Sequence, residues 1–194
     1  RKLYAGTHQD SIIFDIDDPK LWWCNGMGEP HLYDFAIEAK RGTRLVERHD
    51  VRVGIRTIEL VQEPDAEGKS FYFKLNGKPV FAKGANYIPQ DMFQDRVSPE
   101  KYRRTINDAL AGNMNMLRVW GGGIYEDDLF YQLCDAHGIM VWQDFMYACA
   151  MYPGSGSFLK NAAREALEQI DRLRQHPCIV LWCGNNENNE AWHN

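Results

Sequence analysis

The residues best suited to do chemistry stand at Asn186-Glu187, directly after the apolar run Cys178-Ile179-Val180-Leu181-Trp182-Cys183 and its stop, Gly184. That run, entered through His176-Pro177 and rich in β-branched and aromatic residues, reads as a buried parallel strand. A glutamate at a strand's carboxyl end can give or take a proton, and an amide beside it can hold a hydroxyl group. The same cluster would serve equally as the N-cap of a following helix. Position alone leaves both uses open, so the other strand ends must decide.

Three more apolar runs end in polar groups. Lys78 to Ala85 leads to Asn86-Tyr87, Asn115-Met116-Leu117 leads to Arg118 and Trp120 ahead of Gly121-Gly122-Gly123, and Ile139-Met140-Val141-Trp142 leads to Gln143-Asp144. Asn, Asp and Arg bind hydroxyls, Trp and Tyr stack on the CH faces of sugars, and a Glu transfers protons; together they outline a carbohydrate site. Each residue also has a plainer use: Arg118 could pair internally with Asp144 or Glu187, and Trp120 could be core filling. Four strand ends gathering the same chemistry favour a site.

Helices must separate these strands. Ser98-Pro99-Glu100 supplies an N-cap and a proline at the first helical position, with Tyr102, Ile106, Ala109 and Leu110 on one face up to Gly112-Asn113. Glu126-Asp127-Asp128 predicts an acidic first turn for a helix carrying Leu129, Phe130, Leu133 and Cys134 and closed by Gly138. Ser157 opens a long helix with Leu159, Ala163, Ala166, Ile170 and Leu173 on its stripe, ending before His176-Pro177. Phe71 to Gly84 folds back on Asn76-Gly77, a pair suited to a type I′ turn. Strands alternating with helices predict a parallel βα sheet. An eight-stranded barrel takes about 250 residues, so the stretch after residue 60 holds about half of one. An open doubly wound sheet fits the alternation too, but no GxGxxG follows the first strand, and Gly121-Gly122-Gly123 leads to Ile124-Tyr125-Glu126 without a P-loop lysine.

Upstream, Ser11 to Ile16, His31 to Ala39 and Arg48 to Leu60 read as strands with loops and no helices between them, the pattern of a partial β-sandwich whose first strands would precede Arg1. Trp22-Trp23 reads as core or inter-domain packing rather than a sugar platform. The polar interval Glu63 to Lys69 separates the two patterns. The expected fold class is α/β: residues 1–60 form the C-terminal part of an immunoglobulin-like β-sandwich, and residues 61–194 form the first about four βα units of a TIM (β/α)8 barrel.

Composition narrows the function classes. A hydrophobic share of 44% supports a real core, and a formal charge of -5 with dispersed basic residues argues against nucleic acid or an anionic membrane as partner. No run of about 18 apolar residues is present to span a bilayer. Arg1-Lys2-Leu3-Tyr4 has neither an initiator Met nor an apolar signal core, so the chain is expected to be an excised piece. The cysteines, Cys24, Cys134, Cys149, Cys178 and Cys183, lack CxxC spacing and read as free core thiols. His8, His31, His49, His137, His176 and His193 show no ligand spacing and read as surface or loop residues. No metal and no cofactor are expected.

Two motifs carry a specific resemblance. Asn115-Met116-Leu117-Arg118-Val119-Trp120-Gly121-Gly122-Gly123 and Trp182-Cys183-Gly184-Asn185-Asn186-Glu187-Asn188 are similar to the β-mannosidase branch of glycoside hydrolase family 2. Leu21-Trp22-Trp23 to Leu32-Tyr33 and Val53-Gly54-Ile55-Arg56 resemble the end of the sandwich domain that precedes that family's barrel. The resemblance implies retaining hydrolysis of a terminal β-linked mannose, with a β-mannoside oligosaccharide or glycoside as partner. Glu187 would be the general acid/base, Asn186 would bind the sugar 2-hydroxyl, Trp120 would line the subsite of the non-reducing sugar, and Arg118 would orient carboxylates. Asp144 and Asn86 complete the substrate-binding set. Asp144 is read as a binding residue rather than the nucleophile, and Glu190 as solvated or structural. The family's nucleophile lies on a later barrel strand, so it is not expected in this chain, which would need the rest of its own polypeptide to complete the barrel and would be inactive alone. Other family 2 activities (β-galactosidase, β-glucuronidase, exo-glucosaminidase) and a non-catalytic carbohydrate-binding module are the competing readings.

Overall fold

A computed structural model of the chain describes Gly6 and residues 11–193. His8 and the Arg1-to-Tyr4 start lie outside the described residues. Strands β1 (Tyr33–Arg41) and β2 (Arg44–Val53) make an antiparallel hairpin, while β3 (Ile58–Val61), β4 (Tyr72–Leu75) and β5 (Lys78–Val80) make a three-stranded antiparallel sheet in that order. Asn76 (φ 50°) and Gly77 (φ 75°) both take the left-handed conformation that a type I′ turn between β4 and β5 demands.

The third sheet is parallel throughout and runs in sequence order: β6 (Gly84–Tyr87), β7 (Met116–Val119), β8 (Met140–Asp144) and β9 (Ile179–Cys183). Helices α1 (Pro99–Ala111), α2 (Asp128–His137) and α3 (Gly156–Leu173) make the crossovers, and α4 (Asn188–His193) follows β9. The Ser98 side chain accepts from Lys101 N–H at the start of α1, with Pro99 in the first turn, and Gly138 (φ 70°) closes α2. Four parallel strands joined by three helices are present, although the first strand, read from the sequence as one arm from Lys78 to Tyr87, divides into β5 in the antiparallel sheet and β6 in the parallel one; the core lies between the parallel sheet and α1 and α2, around Phe130, Tyr131, Ile106, Met140 and Leu75.

Four local expectations need correction. Ser11 to Ile16 pairs with no strand among the described residues, and Ile12, Ile13 and Phe14 stand exposed because nothing completes their ladder. Leu159 and Ala163 face outward from α3, since the larger Phe158 ring turns inward to meet Tyr147 and Tyr152. Glu126 is not in the first turn of α2. It precedes the cap Asp127, lies buried, and accepts a 2.5 Å hydrogen bond from Tyr102 Oη; burial pushes its carboxyl above the usual range. His176 is no surface residue but is buried against Asp135, with 2.5 Å between Nδ1 and Oδ2.

That Asp135 cluster fastens the N-terminal segment to the amino ends of the parallel strands. Fully buried Trp22 donates from Nε1 to Asp135 O at 2.8 Å, while Asn25 N–H reaches Gly138 O at 2.8 Å. Arg56 donates to Pro177 O at 3.1 Å and to Ile179 O at 2.5 Å. Close approach here requires glycine: a Cβ at Gly54 would stand 2.6 Å from the Pro177 ring. Trp22-Trp23 thus joins the antiparallel and parallel parts, in keeping with its reading as packing.

Candidate active site

The parallel register lines up the site. Asn86 pairs with Arg118 and Arg118 with Trp142, so the three project from one face of the sheet, with Asp144 two residues beyond Trp142 on that face. Their neighbours in sequence point the other way. Tyr87 packs on Phe130 with ring centroids 4.7 Å apart and planes tilted by 35°, and fully buried Gln143 accepts from Tyr131 Oη at 2.7 Å. Alternation therefore separates Asn86 and Asp144, which reach the rim, from Tyr87 and Gln143, which reach the core.

Asp144 is the anchor. Its fully buried carboxylate accepts from Arg118 Nε (3.2 Å) and Nη2 (2.8 Å), from Gly121 N–H (3.0 Å) and from Trp142 Nε1 (3.0 Å). A carboxylate removed from water is tolerable when its lone pairs are all engaged and its charge is paired, and the side-on guanidinium does both. Trp142 also lies under the guanidinium, 5.5 Å from ring centroid to Cζ. Arg118 reaches outward with its remaining capacity, donating to Asn186 Oδ1 at 2.8 Å and Asn86 Oδ1 at 3.4 Å.

Trp120 follows on the next turn of chain, half-buried, and the glycines after it are individually required. The indole lies on Gly122, where a Cβ would come within 2.0 Å of the ring. Gly121 brings its N–H to Asp144, and a Cβ there would meet Phe145 O at 2.7 Å; Gly123 packs against Pro89. The Trp-Gly-Gly-Gly run lets the indole fold over Gly122 while Gly121 N–H reaches Asp144.

At the end of β9 the two uses weighed for the Asn cluster fall to different residues. Asn185 takes the cap, accepting from Asn188 N–H at 3.3 Å. Asn186, buried, turns to Arg118, and Glu187 is exposed with left-handed backbone (φ 57°), a conformation costing a non-glycine residue about 1 kcal/mol or more. Among the described residues its side chain meets Cys149, whose Sγ lies 3.4 Å from Oε2.

The structure brings Arg118, Asp144, Asn186 and Asn86 into one hydrogen-bonded group, with Trp120 and Glu187 flanking it. Sequence reasoning missed Trp142, Gly121 and Cys149. Trp142 was legible, because it shares period-two alternation with Asp144. Cys149, expected in the core, sits exposed in the loop after β8, and loop geometry gives no comparable sequence signal. A cavity of about 810 Å³ lies elsewhere, between β1–β2 and α2–α3. Most of its charges pair with one another (Arg172 with Asp128, Arg48 with Asp50, Arg52 with Asp34), and Asp171 pairs with Arg174 outside the lining.

Comparison with known proteins shows what this chain is similar to. Residues 1–56 match the family model of the glycosyl hydrolases family 2. The β-mannosidase B of Emericella nidulans is 45% identical over 174 residues, 90% of this chain and 21% of that protein. The β-mannosidase of Capra hircus is 48% identical over 195 residues, 98% of this chain and 22% of that one. Among solved structures, a β-D-mannosidase from Dictyoglomus thermophilum superposes with a TM-score of 0.84 at 52% identity over 89% of this chain and 22% of its own. A β-glucuronidase from Parabacteroides merdae shares the fold, with a TM-score of 0.76 at 24% identity over 90% of this chain and 20% of its own. The chain is homologous to glycoside hydrolase family 2 proteins of the β-mannosidase branch. It spans about a fifth of the length of the curated relatives it matches.

Proposed function

We propose that the chain carries the acid/base half of the catalytic barrel of a retaining, exo-acting glycosidase that releases terminal β-linked mannose. The observation that carries this reading is the unequal treatment of two carboxylates at one rim. Asp144 is fully buried and engaged by four donor groups, whereas Glu187 stands exposed on the far side of Asn186. A carboxylate held that way is structural, and one left open to a ligand can move a proton.

In this reading Glu187 protonates the glycosidic oxygen as the bond to C1 breaks, then takes a proton from the water that attacks the glycosyl-enzyme intermediate. Asn186, with its Oδ1 held by Arg118, offers its amide to the sugar 2-hydroxyl, and Trp120 forms a wall for the sugar ring. Asn86 adds a further hydroxyl contact, and Asp144 fixes Arg118. The nucleophile must stand about 5–5.5 Å from the acid/base. It is assigned to polypeptide outside these 194 residues, which also supplies the strands that pair with β6 and β9 to close a barrel. The hairpin β1–β2 is assigned to an immunoglobulin-like sandwich, whereas β3, read from the sequence as part of that unit, pairs with β4; these 194 residues alone are expected to turn over no substrate.

The test uses the full-length protein and nitrophenyl β-mannoside beside a mannoside with an alkyl leaving group. Glu187→Gln is expected to lower kcat/KM for the alkyl mannoside by about a thousandfold, with a smaller loss for nitrophenyl, whose departure needs little protonation. Equal rates for wild type and variant on both would remove Glu187 from the mechanism. Faster release from nitrophenyl β-galactoside or β-glucuronide would reassign the sugar.

A further inference from the structure

The loop after β8 returns to the rim and docks on the segment after β9. Ala148 and Asn186 form a parallel bridge, Cys149 N–H donates to Asn186 O at 2.8 Å, and Asn186 N–H donates to Tyr147 O at 2.8 Å. Tyr152 pins the loop from outside, accepting from Ala148 N–H at 2.9 Å and packing edge-on to Tyr147 with centroids 5.1 Å apart. Cys149 (φ 51°) and Glu187 (φ 57°) face each other across this contact, both in the left-handed region that non-glycine residues avoid. Such backbone persists where surrounding contacts over-determine it.

The result places one free thiol between the two residues assigned to the sugar and the proton. Asn186 Nδ2 donates to Cys149 Sγ at 3.4 Å, and Sγ donates to Glu187 Oε2 at 3.4 Å. A thiol carries one hydrogen and weak acceptor capacity, so it can do both at once. The amide's orientation agrees, because its oxygen is already committed to Arg118 Nη2 at 2.8 Å. A continuous chain of hydrogen bonds thus runs from buried Asp144 through Arg118, Asn186 and Cys149 to Glu187.

We propose that Cys149 is a positioning residue that ties the carboxylate of Glu187 to Asn186, so that the proton donor and the hydroxyl-binding amide keep one mutual orientation. The inference rests on the reading of Glu187 as acid/base and deepens it. Cys149 touches neither sugar nor leaving group in this role; it acts through Glu187, whose side chain would otherwise turn freely in an exposed position. Misorientation of the acid slows departure of a poor leaving group most, because that step depends on proton transfer.

The experiment compares Cys149→Ala, Cys149→Gly and Cys149→Ser in the full-length protein on alkyl and dinitrophenyl β-mannosides, with Glu187→Gln alongside. Ala removes the thiol, Gly removes it while suiting the left-handed backbone, and Ser keeps a donor and an acceptor. Ala and Gly are each expected to lower kcat/KM for the alkyl mannoside about tenfold, and to leave kcat/KM for the dinitrophenyl substrate, which reports glycosyl transfer without need of the acid, within about threefold. Ser is expected to restore the alkyl rate to within about threefold of wild type. Equal losses on both substrates, no loss at all, or a Gly variant that matches wild type while Ala does not would each overturn the proposal, the last by assigning the effect to backbone strain. If Cys149→Ala fails to fold, the Gly and Ser variants carry the same comparison. A large Glu187→Gln effect beside unaffected Cys149 variants would sink this inference alone, whereas an ineffective Glu187→Gln would sink the acid/base reading and this inference with it.

Discussion

Asp144 and Asp135 are both buried carboxylates, one at each end of the parallel sheet, and the molecule uses them in opposite ways. Asp135 is tied to the frame: its oxygens take Cys178 N–H at 3.0 Å and His176 at 2.5 Å, and its carbonyl takes Trp22. Asp144 engages more donors still, but its main partner, Arg118, is a quarter exposed and extends two more donors to Asn86 and Asn186. Burial and hydrogen-bond saturation therefore do not mark a functional carboxylate. What differs is whether the partner has capacity left for a ligand.

The comparison sharpens into substitutions of the full-length protein. Asp144→Asn keeps the shape but removes the charge from Arg118 and sets an amide N–H against one of its donors. The expected loss in kcat/KM is a hundredfold or more, through misplacement of Asn186 rather than of any reacting carboxylate. Asp135→Asn should do the reverse, lowering unfolding stability by roughly 3 kcal/mol in denaturant melts while the folded fraction keeps its kcat/KM. Similar activity losses in the two variants would break the distinction. Gly122→Ala comes next: the new methyl displaces the Trp120 indole, and kcat/KM should fall about tenfold with little change in melting temperature, position 122 being exposed.

The smallest effect concerns Glu126, a buried carboxyl outside the site. Burial raises its pKa, so the native state holds the proton more tightly than the unfolded chain does. Its contribution to stability is fully present below the ordinary carboxylate range and is lost as pH rises through the raised folded value. Glu126→Gln, which can still accept from Tyr102, should therefore raise the melting temperature by about 2–4 °C at mildly alkaline pH and not measurably in acid. An equal shift at both pH values would assign the effect to packing instead.

Much of the parallel sheet was legible because its signals are local. Ser98-Pro99, Asn76-Gly77 and Gly138 act through their own backbone preferences, and each is found where those preferences put it. The rim's members were legible as strand-end polar residues, but the division between them was not. The sequence does not distinguish Gln143, which turns to the core, from Asp144, which turns to the rim, until the register is known. Leu159 and Phe158 posed the same problem on α3, where ring size against Tyr147 and Tyr152 settled which side faced inward. The burial of His176, in a loop as expected, and the exposure of Cys149 went unread for a common reason: each is held by a residue distant in the chain, Asp135 and Asn186 respectively, and no spacing within its own segment announces that partner.

The central claim is that Glu187 moves the proton at the glycosidic oxygen. Its most direct test is Glu187→Ala in the full-length protein with a dinitrophenyl β-mannoside, assayed with and without sodium azide. Azide needs no general base, so it should enter the space the side chain leaves, capture the glycosyl-enzyme intermediate, accelerate turnover and yield a β-mannosyl azide. Turnover indifferent to azide with mannose as the sole product, or a variant as fast as wild type, would contradict the account.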